Sequence, residues 1–114
     1  MRFGLIGVAI ATTIVSSAAM AGDRNATGAI VAGDYQKAEQ VLQAERRIFP
    51  RRPELMLNLA AVYRQTGRDA EARALYADVL KRESVAMDLL NQRVASSHAI
   101  ASEGMSRLTQ VAAR

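Results

Sequence analysis

Two glycines, Gly33 and Gly67, stand 34 residues apart, and the residues behind each of them keep step. Ala38 and Ala72 repeat at the same spacing, and Leu42 and Tyr76 hold a large apolar residue in the same register. The two segments read GDYQKAEQVLQAERRIFP and GRDAEARALYADVLKRES. Each opens on a glycine suited to the turn that ends one helix and runs on as an amphipathic helix. Self-similarity at a fixed period marks an architecture built of units that cannot bury their apolar faces alone.

The stretch before Gly67, PELMLNLAAVYRQTG, completes the unit. Pro53 suits the first helical position, where its missing N–H costs nothing, and Glu54 favours the positive end of the helix dipole. Met56, Leu59, Ala60 and Tyr63 fall at i, i+3, i+4 and i+7, which is one stripe of a helix. The unit is helix, tight turn, helix.

On these residues the stretch Pro53–Ser84 resembles a tetratricopeptide repeat. The family's large apolar residue falls on Met56, its Leu with a small neighbour on Leu59 and Ala60, and its Tyr on Tyr63. The turn glycine is Gly67, the close-packing alanine Ala72 and the later aromatic Tyr76, while Ser84 stands where the family closes with proline. The preceding unit matches in its second half, through Gly33, Asp34, Tyr35, Ala38, Leu42 and the closing Pro50. Its first helix has only GDRNATGAIVA to draw on, which is short and lacks large apolar residues.

Downstream, a third register puts Leu90 at the first apolar position but Arg93 and Ser97 where Leu and Tyr are expected. The segment therefore reads as a degenerate repeat or a cap. Val85–Leu90 is expected as a short helix and 91–96 as a break, with Ser97 as N-cap of a last helix carrying Ile100, Ala101, Met105, Leu108 and Val111. One continuous helix from Val85 to Val111 is the rival, weakened by Gly104 and the Ser96-Ser97 pair. The expected fold is all-α: a short α-solenoid of about 1.5–2 repeats plus a C-terminal capping helix, with units near 22–52 and 53–86 and a cap over 87–114.

Residues 1–21 are set apart. MRFGLIGVAIATTIVSSAAMA has one early positive charge, Arg2, an apolar run from Gly4 to Ala19, and an Ala19-Met20-Ala21 ending. Charge, hydrophobic run and small-x-small site are the three parts of a secretory signal peptide, with cleavage expected after Ala21. The expected location is the bacterial periplasm; the alternative is an inner-membrane anchor formed by residues 3–21. Loss of 1–21 takes Arg2 away and leaves 14 Lys and Arg against 11 Asp and Glu, a net charge of +3. There is no cysteine, so no disulfide staples the exported domain.

No enzyme signature is visible, and neither a cofactor nor a metal is expected. The chain has one histidine, His98, and adjacent Ser97 and His98 lack the geometry of a triad. The glycines are isolated turn residues rather than a phosphate-binding loop. The resemblance instead implies a groove lined by the first helix of each repeat, here Glu54, Leu57, Asn58, Ala61 and Arg64. A partner protein or peptide is the expected ligand, with Asn58 read first as the family's common structural asparagine. Grip on a terminal carboxylate would need basic residues at third-repeat positions that hold Asp88 and Gln92.

The stretch ERRIFPRRPE remains. Arg46 and Arg47 end one helix, where positive charge suits the dipole, and Lys81-Arg82 recur in that place one period on. Phe49 is expected against the joint, with Arg51 and Arg52 in the turn. The net charge is too small for a nucleic-acid-binding surface, and none is expected; an anionic-surface role through the arginines is the least favoured reading.

Overall fold

The computed structural model describes residues 21–89 and 92–112. Residues 1–20 of the expected signal peptide or anchor, and Leu90, lie outside the described residues. Among the described residues five helices and one small hairpin follow in order: α1 (Ala21–Ala32), α2 (Tyr35–Ile48), α3 (Pro53–Gln65), α4 (Asp69–Lys81), β1 (Ala86–Asp88), β2 (Val94–Ser96) and α5 (Ser97–Ala112). α1 packs on α2 and α3 on α4 as two helix hairpins, α2 joins them by packing on α3, and α5 lies against α4 and α3. This is a short all-α solenoid of tetratricopeptide type.

The repeat is visible in backbone hydrogen bonds. Gly33 has φ +82° and Gly67 φ +80°, left-handed conformations that glycine adopts at little cost. After α1, the Asp34 N–H donates to the Ala29 carbonyl at 2.8 Å and the Gly33 N–H to the Ile30 carbonyl at 3.0 Å. After α3, the Arg68 N–H donates to the Tyr63 carbonyl at 2.8 Å and the Gly67 N–H to the Arg64 carbonyl at 3.3 Å. Both are Schellman caps, built from corresponding atoms one period apart. Asp34 also starts α2, its carboxylate accepting the Lys37 N–H at 3.2 Å.

α3 is the axis of the core. Every residue from Leu55 to Tyr63 is buried, so the stripe through Met56, Leu59, Ala60 and Tyr63 is only part of an enclosed helix. The cause is position: α1, α2, α4 and α5 all touch α3, and a helix apolar on all sides is one that neighbours surround. Ala38 of α2 and Ala72 of α4 are fully buried, which lets helices approach closely, and Leu42, Tyr76, Val79, Ile100 and Leu108 complete one continuous cluster.

Two expectations for the C-terminal third are corrected. Val85–Leu90 is not a short helix, and no single helix runs from Val85 to Val111. Ala86, Met87 and Asp88 instead pair antiparallel with Ser96, Ala95 and Val94. The physical reason is a period-two pattern in which Met87 is buried between exposed Ala86 and Asp88. The hairpin closes with the Gln92 N–H on the Leu89 carbonyl at 3.0 Å and the Leu89 N–H on the Arg93 carbonyl at 2.8 Å. Gln92 stands at φ 63°, a left-handed position between the two strands.

The cap of α5 is also shifted by one residue. Ser96, not Ser97, accepts the Ala99 N–H through its hydroxyl, at 3.0 Å. Ser97 is fully buried and ties the hairpin to α5, its hydroxyl accepting the Val85 N–H at 2.9 Å while its own N–H donates to the Val85 carbonyl at 2.7 Å. α5 buries Ile100, Ala101, Gly104 and Leu108 and turns Glu103, Ser106, Thr109 and Gln110 to solvent. A polar outer face suits a helix that ends an array.

Candidate partner-binding surfaces

The five groove positions lie on one helix but differ in access. Leu57 and Ala61 are each 2% exposed and Asn58 is fully buried, while Glu54 and Arg64 at either end are half-buried. Leu57 belongs to the core cluster. Asn58 is engaged in a polar interaction rather than left bare, as burial of an amide demands. The Arg64 guanidinium reaches the Tyr76 hydroxyl at 3.5 Å. The accessible part of this face is thus its charged rim. Asp88 sits in β1 and Gln92 in the hairpin loop, so neither extends the groove on a helix.

Of the repeat-defining positions, Ala38, Met56, Leu59, Ala60, Tyr63, Ala72 and Tyr76 are buried, Gly33 and Gly67 form the two turns, and Pro50 is exposed between α2 and α3. Around the second turn a polar network crosses from one hairpin to the other. The Arg68 guanidinium holds Glu39 of α2 at 2.8 and 2.6 Å and Glu71 at 3.4 Å, and lies 4.3 Å from the Tyr63 ring centroid. The Glu39 hydrogen bond raises the Arg68 pKa; burial opposes it, and the weaker hydrogen bond to Glu71 adds to the rise. Gln43 of α2 donates to the Tyr63 hydroxyl at 3.1 Å. No sequence signal linked Glu39 to Arg68, because partners on different helices follow no local spacing.

The arginine-rich stretch forms the corner between the hairpins. Arg46 and Arg47 fall in the last turn of α2, and the Phe49 N–H caps that helix on the Glu45 carbonyl at 2.9 Å. Phe49 packs on the core and carries the Arg52 guanidinium 4.7 Å from its ring centroid. Residues 48–54, together with Val85 from far along the chain, line an open cleft of about 540 Å³. Sequence reasoning found the corner but not the cleft, since Val85 comes to it only through the hairpin.

The His98 Nε2 lies 2.6 Å from the Arg82 carbonyl. Among the described residues no group of three or more His, Asp or Glu is placed to hold a metal ion, and no helix is long and apolar enough to cross a membrane.

Residues 29–90, just over half of the 114-residue chain, match the family model described as Tetratricopeptide repeat. The chain belongs to the tetratricopeptide repeat family. The match spans the end of α1 through β1, and so covers both Schellman turns and the whole of the α3–α4 hairpin. No curated protein and no solved structure matches the chain. Tetratricopeptide repeats generally mediate protein–protein interaction and are typically non-enzymatic, which fits a site made of helix faces and corners rather than convergent catalytic groups.

Proposed function

We propose that this tetratricopeptide repeat protein is an exported, non-enzymatic adaptor that docks a partner protein or peptide segment in the bacterial periplasm. The observation that carries the reading is the repeat match over residues 29–90, laid on an array whose two helix hairpins each fold about an equivalent turn. The charged N-terminal start, apolar run and Ala-Met-Ala ending support export. The length of the same apolar run supports a second reading, in which the segment stays uncleaved and the protein is a membrane-tethered subunit of an envelope assembly.

Along α3 the contacts to a partner fall to the rim residues Glu54 and Arg64, with Leu57, Asn58 and Ala61 shaping the floor from beneath. Arg64→Glu is expected to weaken partner capture. Leu57→Glu fails for a different reason: a buried carboxylate inside the core cluster unfolds the domain before it can report on binding. Thermal melts separate the two, with Leu57→Glu losing its transition and Arg64→Glu keeping one.

The test is affinity capture of the processed protein from its own host after cross-linking, with Arg64→Glu in parallel, and mass determination of the natural N-terminus. A reproducible protein partner lost in Arg64→Glu, with a chain starting at Gly22, supports the reading. Capture unchanged by Arg64→Glu removes the groove, and a retained N-terminal segment transfers the case to the tethered subunit.

A further inference from the structure

The corner between the hairpins holds three features that turning the chain does not require. First, Ile48 and Val85, 67% and 43% exposed, are two of the four large apolar side chains most open to solvent among the described residues, and the fold brings them to the same cleft. Second, Arg46, Arg47, Arg51 and Arg52 have no carboxylate partner among the described residues, whereas Arg68, Arg82 and Arg107 each have one. Third, α3 starts in that cleft without a side-chain cap: Arg52 at the N-cap makes no such bond and Pro53 has no N–H. The positive end of the helix dipole therefore adds to the arginines.

We propose that this cleft docks an acidic segment of a partner protein. A carboxylate meets Arg51, Arg52 and the start of α3, and a neighbouring apolar side chain covers Ile48 and Val85. Charge complementarity selects the occupant. An arginine fork beside a helix N-terminus favours a carboxylate, and the apolar wall favours a side chain next to it. Glu54 lines the same cleft and opposes the incoming charge, so an isolated carboxylate fits better than a polyacidic tract. A nucleic acid needs a broader basic surface than one corner with an acid in it. An anionic bilayer would bring many charges against Glu54 of the same open cleft, and it is one of the outcomes of the test. The cleft shares Glu54 with the rim of α3 but not Arg64, so its failure leaves the groove reading at Arg64 standing.

The test is fluorescence anisotropy with the protein as purified from its host and a dye-labelled peptide, Ser-Gly-Asp-Leu-Phe-Glu-Gly-Ser. The control peptide carries Asn and Gln in place of Asp and Glu, and vesicles of phosphatidylglycerol and phosphatidylethanolamine form the third arm. Saturable binding of the acidic peptide is expected, about tenfold or more weaker for Arg51→Glu and for the amide peptide. Glu54→Gln is expected to bind more tightly, and Val85→Asp more weakly. Arg51 is exposed, so its variant is expected to melt as the parent does. Equal binding of both peptides, or binding indifferent to Arg51, overturns the proposal. Arg51-dependent binding to vesicles with none to the peptide overturns it in favour of a lipid surface.

Discussion

Gly104 and Gly28 give a matched pair in which the same substitution has opposite signs. Both lie inside helices, and replacing an interior helical glycine by alanine ordinarily stabilises by about 1 kcal/mol. At Gly28 of α1 an added Cβ meets nothing within 4 Å, so the ordinary gain applies. At Gly104 of α5 the Cβ falls 2.2 Å from Cζ of Tyr76 and 2.6 Å from both of its Cε atoms. Carbon atoms settle near ~3.5–4.0 Å, so ring and helix must part by more than about 1 Å. Tyr76 is 2% exposed and its hydroxyl meets Arg64, so the ring has no open space to swing into. A clash this deep falls in the upper part of the range for overpacking, about 2–3 kcal/mol, which outweighs the helix gain. Gly104→Ala is therefore expected to destabilise by roughly 1–2 kcal/mol, lowering the melting midpoint by about 4–8 °C per kcal/mol for a domain of this size. Urea and thermal unfolding of both variants read the signs. A Tyr76→Leu background removes the outer half of the ring, and there Gly104→Ala is expected to turn neutral or stabilising. A raised midpoint for Gly104→Ala in the parent refutes the close packing of α5 on α4.

The other predictions concern the joints. Ser97→Ala removes the buried hydroxyl that accepts the Val85 N–H and is expected to cost about 1–2 kcal/mol. Ser96→Ala, which removes the cap of α5, costs about 1 kcal/mol in the same denaturant assay. Gln92→Gly relieves the left-handed position of the hairpin loop and is expected to raise stability by a few tenths to about 1 kcal/mol, read as a shift in urea midpoint. Glu39→Gln weakens the Arg68 bridge between the hairpins. Its loss of stability is expected to be small and to shrink as salt is added, because the pair is partly exposed.

Much of this fold was legible because its information is periodic. Gly33 and Gly67 announce their turns by spacing alone, and the structure forms the same two hydrogen bonds at each. Pro53, Met56, Leu59 and Tyr63 specify a helix and one of its faces. They do not specify how many neighbours that helix has, so Leu57 and Ala61 read as open groove positions although α3 is enclosed. The hairpin was missed for another reason. Three-residue strands give too short an alternation to compete with a helical reading, and the left-handed loop position holds Gln92 where glycine would have signalled it. Gly104 read as a mild helix breaker because its purpose is set by Tyr76, 28 residues away. The cleft at residues 48–54 was half legible: its arginines are in the sequence, but its apolar wall comes from Val85.

The claim that this repeat array docks a protein through its corner and rim is tested most directly by photo-cross-linking in the host. A photoreactive amino acid is placed in turn at position 51 in the corner, at 64 on the rim of α3 and at 102 on the outer face of α5. The account predicts a discrete protein adduct from position 51 or 64 and none from 102. Adducts that are absent at 51 and 64, or as strong at 102, contradict it.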